Sequence, residues 1–205
     1  MTDSTMSTLY LPGVESNLKP GLYKDLIDSA RGSQAEYSKI WDLLAFQPSF
    51  TDGLSTFTQG VLRAPATISP VMRELIAAWT SCLNECRFCT RAAAAAAELL
   101  GSEELVRSVL GDLESSPLPK RDKAMLRFVA KITSDLPGFT AADVQCVRAA
   151  GWDDEAIYYA ITTCALFNFY NRWITATGVP EMSPEAHRLQ GQNIARRGYI
   201  RDEKK

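Results

Sequence analysis

The chain has 205 residues, 46% hydrophobic and 22% charged, with a formal net charge of −2 at pH 7. This balance is typical of a globular protein with one sizeable core. It excludes the basic surface expected of a protein that binds nucleic acid or anionic lipid. Residues 1–22 lack the basic and apolar regions of a secretory signal, and no stretch is apolar enough to span a membrane. We therefore expect a soluble, cytoplasmic protein with neither nucleic acid nor membrane as a partner.

Apolar residues recur at helical spacing from residue 19 to residue 198, and proline or glycine interrupts the pattern between segments. No segment alternates apolar and polar residues long enough to predict a strand. We therefore predict an all-α domain over residues 19–198, built from about eight to ten helices. Residues 1–18 are predicted to form an N-terminal arm and residues 199–205 a frayed tail. The predicted helices cover residues 21–31, 35–46, 50–62, 70–83, 86–100, 102–113, 120–134, 141–150, 153–177 and 183–197.

Residues 73–100 are the most informative stretch, because they hold one acid, three cysteines and six consecutive alanines. Helix propensity alone predicts one continuous helix here. Ser81, Asn84 and Glu85 cluster before Cys86, however, and asparagine competes for backbone hydrogen bonds at helix ends. We therefore predict a turn near Asn84 that joins two antiparallel helices.

The turn decides whether Glu74 can act on a thiol. In one straight helix Glu74 and Cys86 would lie roughly 18 Å apart, at about 1.5 Å per residue. In a hairpin, Glu74 lies opposite Ala93, one turn from Cys89, and its side chain can reach the sulfurs directly or through water. This geometry is a hypothesis that a solvent-exposed Glu74 carboxylate would contradict.

Five cysteines are an odd number in a medium-sized chain, so a structural disulfide framework is not expected. The close pair Cys86 and Cys89 points to redox or metal chemistry. Cys82, Cys86 and Cys89 also have the spacing of a three-cysteine iron–sulfur motif, and zinc could take Glu85 or water as a fourth ligand. That cluster motif belongs after a strand in an α/β barrel, a context that this sequence lacks.

Several motifs resemble the carboxymuconolactone decarboxylase superfamily, in particular its alkylhydroperoxidase D-like (AhpD-like), peroxidase-related branch. The resemblance covers most of the chain from about residue 20 to residue 198. The motifs that carry it are Arg73-Glu74-Leu75-Ile76-Ala77, Leu83-Asn84, Cys86-Arg87-Phe88-Cys89, Ala165-Leu166-Phe167-Asn168-Phe169-Tyr170-Asn171-Arg172 and Gly178-Val179.

The resemblance implies an AhpD-like helical bundle and a thiol peroxidase that needs no cofactor. Cys89 would be the peroxidatic thiol, Cys86 the resolving thiol, and Glu74 the start of a proton relay. A dithiol reductant of thioredoxin or lipoyl type would reduce the resulting disulfide. The family also implies a homo-oligomer, as a dimer, trimer or hexamer. A helix N-terminus at Cys86 would lower the pKa of a thiol there, and Arg87 or Arg91 would add to the effect.

The sequence departs from the family pattern four residues after the second cysteine, where the relay histidine is replaced by Ala93. The only histidine is His187, which we expect to be solvated on a polar helix. Asn168, Tyr170 and Asn171 are our candidates for the groups that line the space near Ala93.

Four other interpretations stay open at this stage. The chain could be a non-catalytic helical oligomer or ligand-binding protein, or a decarboxylase-like enzyme that does not use its thiols. Cys86 and Cys89 could be inert buried thiols. Glu74 could be a surface residue paired with Arg73 or Arg91.

Overall fold

The computed structural model describes residues 8–200, and this part of the chain is all-α without strands. The predicted fold class is thus confirmed. The elements, in chain order, are α1 (Pro12–Ser16), α2 (Leu22–Gly32), α3 (Ile40–Phe46), α4 (Pro48–Arg63), α5 (Pro70–Leu83), α6 (Arg87–Leu100), α7 (Glu103–Gly111), α8 (Lys120–Ser134), the 3-10 turn Leu136–Gly138, α9 (Ala141–Ala149), α10 (Asp154–Thr177) and α11 (Pro184–Arg197).

Most helix boundaries follow from local sequence. Ser69, Ser102, Asp153 and Ser183 each accept a hydrogen bond from the backbone N–H three residues later, which satisfies a free donor at the helix start. Thr140 and Asp143 form a reciprocal capping box before α9.

The predicted helix over residues 35–46 is wrong in its first part, because α3 begins only at Ile40. Gln34 has a φ of 55°, in the left-handed region, and this turns the chain after α2. The Glu36 carboxylate instead contacts another helix. It accepts hydrogen bonds from the backbone N–H and the hydroxyl of Ser183 at the start of α11. A tertiary contact therefore outweighs the helical pattern of residues 35–39.

The terminal segments are only partly described, because residues 1–7 and 201–205 of the predicted arm and tail lie outside the described residues. Within the arm, Leu9 and Val14 are buried against Leu43. At the other end, the backbone N–H of Tyr199 donates to Gln59 Oε1 at 2.6 Å. Tyr199, the first residue of the predicted tail, is therefore held against α4 by this hydrogen bond.

The core is organised around α5, which packs against α6, α8 and α10. Leu75, Ile76, Ala77 and Ala78 of α5 are almost completely buried. Helix α11 lies against α6, where the alanine run meets Gly191. A Cβ atom at position 191 would lie 2.6 Å from Ala95 Cβ, so the two helices approach as closely as their backbones allow. The small alanine side chains of α6 make this close approach possible.

A helix must be both long and apolar to cross a bilayer. No helix within residues 8–200 meets both conditions.

Candidate redox site

A short turn joins α5 to α6 and confirms the predicted hairpin. Asn84 ends α5, Glu85 has a left-handed φ of 56°, and Cys86 is the N-cap of α6. The backbone N–H of Cys86 donates to the carbonyl of Ser81 at 3.0 Å, which closes the turn. Three residues therefore reverse the chain and place Cys86 and Cys89 in the first turn of a new helix.

The two thiols of this turn form one buried unit. Cys86 Sγ and Cys89 Sγ are 2.7 Å apart and share a hydrogen bond, and both residues are buried free cysteines. When one proton leaves the pair, the proton that remains is shared between the two sulfurs and stabilises the thiolate. The first proton is therefore lost more easily than from an isolated thiol, and the second is held more tightly. The pair therefore has one easily formed thiolate.

Cys86 is the better thiolate of the pair. Its pKa is lowered to about 6 by the hydrogen bond from the Cys89 thiol, with smaller contributions from the backbone N–H of Cys89 and from the side chains of Thr175 and Asn171. The pKa of Cys89 is raised, because the Cys89 thiol keeps its proton in the shared hydrogen bond once Cys86 is ionised, and because Cys89 is buried. Arg91 pairs instead with Glu181, at 3.3 Å.

An asparagine network holds the turn against α10. Asn84 Nδ2 donates to Asn168 Oδ1 at 3.0 Å and to Asn171 Oδ1 at 2.9 Å. Asn171 Nδ2 donates to Ser81 Oγ at 2.9 Å and also contacts both thiols. Asn171 thus reaches the sulfurs, whereas Asn168 turns toward Cys164 and accepts a hydrogen bond from Arg172.

Glu74 is completely buried in α5 rather than exposed. Arg63 donates to Glu74 Oε1 at 2.5 Å, and the Tyr199 hydroxyl lies 3.0 and 2.9 Å from the two carboxylate oxygens. Burial raises the pKa of Glu74, against the opposing charge of Arg63. The alternative of a surface Glu74 paired with Arg73 or Arg91 is therefore excluded, and Arg73 donates instead to the backbone carbonyls of Val61 and Ala64.

Within the described chain, no hydrogen bond joins Glu74 to either cysteine. A cavity of about 100 Å³ lies between these groups, and Cys89, Ala93 and Tyr199 are all on its wall. Tyr199 lines the cavity, and its hydroxyl contacts the Glu74 carboxylate, so Tyr199 is the residue that links Glu74 to the cavity wall. The remaining wall is mainly aromatic and aliphatic, and it is formed by Tyr23, Ile40, Trp41, Leu44, Ser55, Thr58, Phe88, Ala92, Phe167, Tyr170, Ile174, Gln190, Ile194 and Gly198.

Two polar groups of this wall differ in their hydrogen bonding. The Tyr170 hydroxyl shares a hydrogen bond of 2.7 Å with Thr58, and burial raises the pKa of Tyr170. Gln190 Oε1 is buried and has no hydrogen-bond partner within residues 8–200. The cavity therefore presents a free acceptor to a donor group of a small guest molecule.

His187 is buried, which contradicts the expected solvated position. Its Nε2 atom lies 3.3 Å from Glu181 Oε2, and its ring packs against Phe88 at a centroid distance of 5.5 Å. Burial lowers the pKa of His187 despite the nearby carboxylate. His187 is not part of the cavity wall around Ala93, because Phe88 lies between the imidazole and that space.

The other cysteines lie apart from the pair. Cys164 packs in the main core and Cys146 is exposed. Cys82 is partly buried on α5, and burial raises its pKa. Among the described residues, no group of three or more His, Cys, Asp or Glu side chains is arranged to hold a metal ion.

Sequence reasoning missed Tyr199 and Arg63. Tyr199 follows Gly198, whose φ of 74° ends α11 and directs the chain back over α4. Arg63 lies in the last turn of α4, and its guanidinium is 5.3 Å from the centre of the Tyr199 ring. The glycine after an arginine-rich helix end was a usable signal for a turn there, but no local pattern indicates which acid Tyr199 meets.

No protein-family model and no curated protein matches this sequence. Two solved structures do resemble the chain. An uncharacterized peroxidase-related protein from Silicibacter sp. TM1040 is 24% identical and has a TM-score of 0.70, covering 80% of this chain and 86% of its own. The alkylhydroperoxidase AhpD core, an uncharacterized peroxidase-related protein from Ralstonia eutropha JMP134, is 20% identical with the same TM-score of 0.70, covering 82% of this chain and 88% of its own.

The chain therefore has the AhpD-like helical fold found in peroxidase-related proteins. Similarity at this level of identity establishes the fold. The chemistry has to be argued from the residues that this chain places around the cavity.

Proposed function

We propose that this protein is an AhpD-like, thiol-dependent hydroperoxide reductase. The observation that carries the proposal is the buried pair Cys86 and Cys89, with sulfurs 2.7 Å apart and Cys89 on the wall of a mainly apolar cavity. A low first pKa supplies the thiolate that peroxide reduction needs.

Cys89 is the peroxidatic thiol and Cys86 the resolving thiol. Cys89 lines the mainly apolar cavity, whereas Cys86 borders a separate groove together with Val179 and Pro180. The shared proton can move to Cys86 across the 2.7 Å contact, which leaves Cys89 as the nucleophile for a molecule in the cavity. The hydroperoxide O–H can donate to the free Gln190 Oε1.

The reaction proceeds in two steps. The Cys89 thiolate attacks the terminal oxygen of RO–OH, the O–O bond breaks, and the products are a sulfenic acid at Cys89 and the alcohol ROH after uptake of one proton. The Cys86 thiol then attacks the sulfenic sulfur, which releases water and forms the Cys86–Cys89 disulfide. Glu74 is the buried acid–base group that supplies and receives protons.

An external dithiol, of thioredoxin or lipoyl type by the family resemblance, returns the disulfide to two thiols and is itself oxidised. All five cysteines are free, which suits a reducing compartment such as the cytoplasm. The proposal includes a homo-oligomer, again by resemblance.

Thiol counting after one equivalent of tert-butyl hydroperoxide tests the proposal. The reduced protein should fall from five free thiols to three. Cys89→Ser should keep its four thiols, and Cys86→Ser should lose one of four as a sulfenic acid that a dimedone-type reagent captures. Cys146→Ser is the matched control, because Cys146 is exposed and lies on α9; it should fall from four thiols to two.

The proposal fails if the unmodified protein keeps five thiols, or if Cys89→Ser loses two thiols as readily as the unmodified protein. Retention of five thiols would favour a non-catalytic protein or an enzyme that uses the cavity without thiol turnover.

A further inference from the structure

The missing relay histidine leaves Ala93 on the cavity wall without an acid or base of its own. Tyr199 joins the cavity wall to a titratable acid. Its hydroxyl lies within 3.0 Å of both Glu74 oxygens, and its side chain lines the cavity that Cys89 also lines. Arg63 fixes this arrangement, because it donates to Glu74 Oε1 and lies over the Tyr199 ring.

The backbone also holds Tyr199 in place. A Cβ atom on Gly198 would lie 2.2 Å from Gln59 Oε1, the same oxygen that accepts the Tyr199 backbone N–H. Gly198 therefore allows a close contact with α4, and the left-handed φ of this glycine directs the next side chain toward Glu74.

We propose that Tyr199 is a catalytic proton-transfer residue of this site, which takes the place of an imidazole at position 93 by passing protons between Glu74 and the cavity. The inference rests on the proposed hydroperoxide reductase activity and names a residue that the resemblance does not supply.

In the first step, Cys89–S⁻ and RO–OH form Cys89–SOH and RO⁻. Tyr199 gives its phenolic proton to RO⁻, which leaves as ROH, and the phenolate takes a proton from the carboxylic acid of Glu74. Glu74 regains its proton as the next Cys89 thiol ionises, through the same hydroxyl in the reverse direction. No electron passes through Tyr199.

The leaving group provides a test that a merely structural role would not satisfy. An alkoxide is a strong base, comparable with hydroxide, so it needs a proton as the O–O bond breaks. The carboxylate that leaves from a peracid has a conjugate-acid pKa of about 4 and needs none. Loss of the Tyr199 hydroxyl should therefore slow only the reaction with the alkyl hydroperoxide.

The experiment follows single-turnover thiol oxidation of the reduced full chain by stopped flow, with tert-butyl hydroperoxide and with peracetic acid. Tyr199→Phe should react with tert-butyl hydroperoxide about 100-fold more slowly, the lower range for general acid–base catalysis. Its rate with peracetic acid should stay within about twofold of the unmodified protein. Tyr159→Phe is the matched control, because Tyr159 is another partly buried tyrosine that does not line the cavity, and both of its rates should be unchanged.

Glu74→Gln provides a second variant. It should show the same selective loss, and the double variant Tyr199→Phe/Glu74→Gln should be no slower than the slower single variant, because the two groups act in one relay. Adding Ala93→His to Tyr199→Phe should recover part of the rate with tert-butyl hydroperoxide.

The role of Tyr199 is overturned if both single variants slow equally with the two oxidants. It is also overturned if neither single variant slows with either oxidant. Failure of the proposed function is a different result, because the unmodified protein would then lose no thiols with either oxidant.

Discussion

At the scale of single residues, the decisive feature is how the protein distributes one proton between two sulfurs. Cys86 is the N-cap of α6, and the hydrogen bond between the thiols, together with the nearby backbone N–H of Cys89, lowers its pKa. Asn171 adds a donor that reaches both sulfurs. An ordinary free cysteine is mostly protonated near neutral pH, whereas the lowered pKa of Cys86 favours the monoanionic form of this pair.

The first prediction is the pH dependence of this thiolate. The pKa of Cys86 is lowered to about 6, so the thiolate should form as pH rises through about 6 and should already be complete at pH 8. The ultraviolet thiolate absorbance of the reduced protein, less that of Cys86→Ser, measures the transition.

Asn171→Leu removes a donor to both sulfurs and should move the midpoint to higher pH. A midpoint of 8 or above in the unmodified protein would contradict the assignment. The matched control Cys146→Ser should leave the difference spectrum unchanged.

At the scale of secondary structure, the site depends on how closely α6 and α11 approach each other. Alanines cover the face of α6 that meets α11, and Gly191 supplies the matching gap. This contact fixes how α11 lies against the thiol-bearing helix α6. It therefore also fixes the position of Gly198 at the end of α11. The alanine run therefore positions the segment that contains Tyr199.

The second prediction concerns Gly191→Ala. Alanine favours helix by about 1 kcal/mol over glycine, but the new Cβ would lie 2.6 Å from Ala95 Cβ and 2.8 Å from the Ala95 carbonyl carbon. Overpacking of this kind costs about 1–3 kcal/mol, so the unfolding temperature should fall despite the better helix former.

Gly53→Ala is the matched control. Gly53 also lies inside a helix, but a Cβ there meets nothing within 4 Å, so its unfolding temperature should stay the same or rise. A Gly191→Ala protein as stable as Gly53→Ala would show that α6 and α11 can separate without cost.

At the scale of the whole molecule, the candidate site is assembled from elements distant in sequence. Arg63 comes from the end of α4, Glu74 from α5, Cys89 from α6 and Tyr199 from the segment after α11. The C-terminal segment completes the environment of a buried acid in the first half of the chain. Stability and chemistry should therefore both depend on it.

The third prediction concerns a chain that ends at Arg197. It loses Tyr199, and with it part of the cavity wall and a hydrogen bond to Glu74. Removing the partly buried ring and a buried hydrogen bond should cost about 2–3 kcal/mol, or roughly 5–10 °C in unfolding temperature for a chain of this size. Thermal unfolding followed by circular dichroism measures the change.

The control is a chain that ends at Ile200, because it keeps the contacts that residues 8–200 make with one another. Equal unfolding temperatures for the two truncated chains would show that Tyr199 does not contribute to the fold.

The sequence by itself determined the helices, the turn near Asn84, the helix start at Cys86 and the thin alanine face of α6. These features depend on helix propensity, capping and glycine or proline within a few residues, and such interactions are local. The sequence also marked Glu74 and the cysteine pair as residues to examine.

Only the tertiary structure decided what surrounds them. Glu74 is buried against Arg63 and Tyr199, and His187 is buried beside Phe88. Glu36 is not helical and accepts a hydrogen bond at the start of α11. Each of these contacts joins residues more than ten positions apart, and its geometry depends on how helices pack rather than on any local preference. A buried charge takes whichever partner the packing brings to it, because leaving it unpaired costs several kcal/mol.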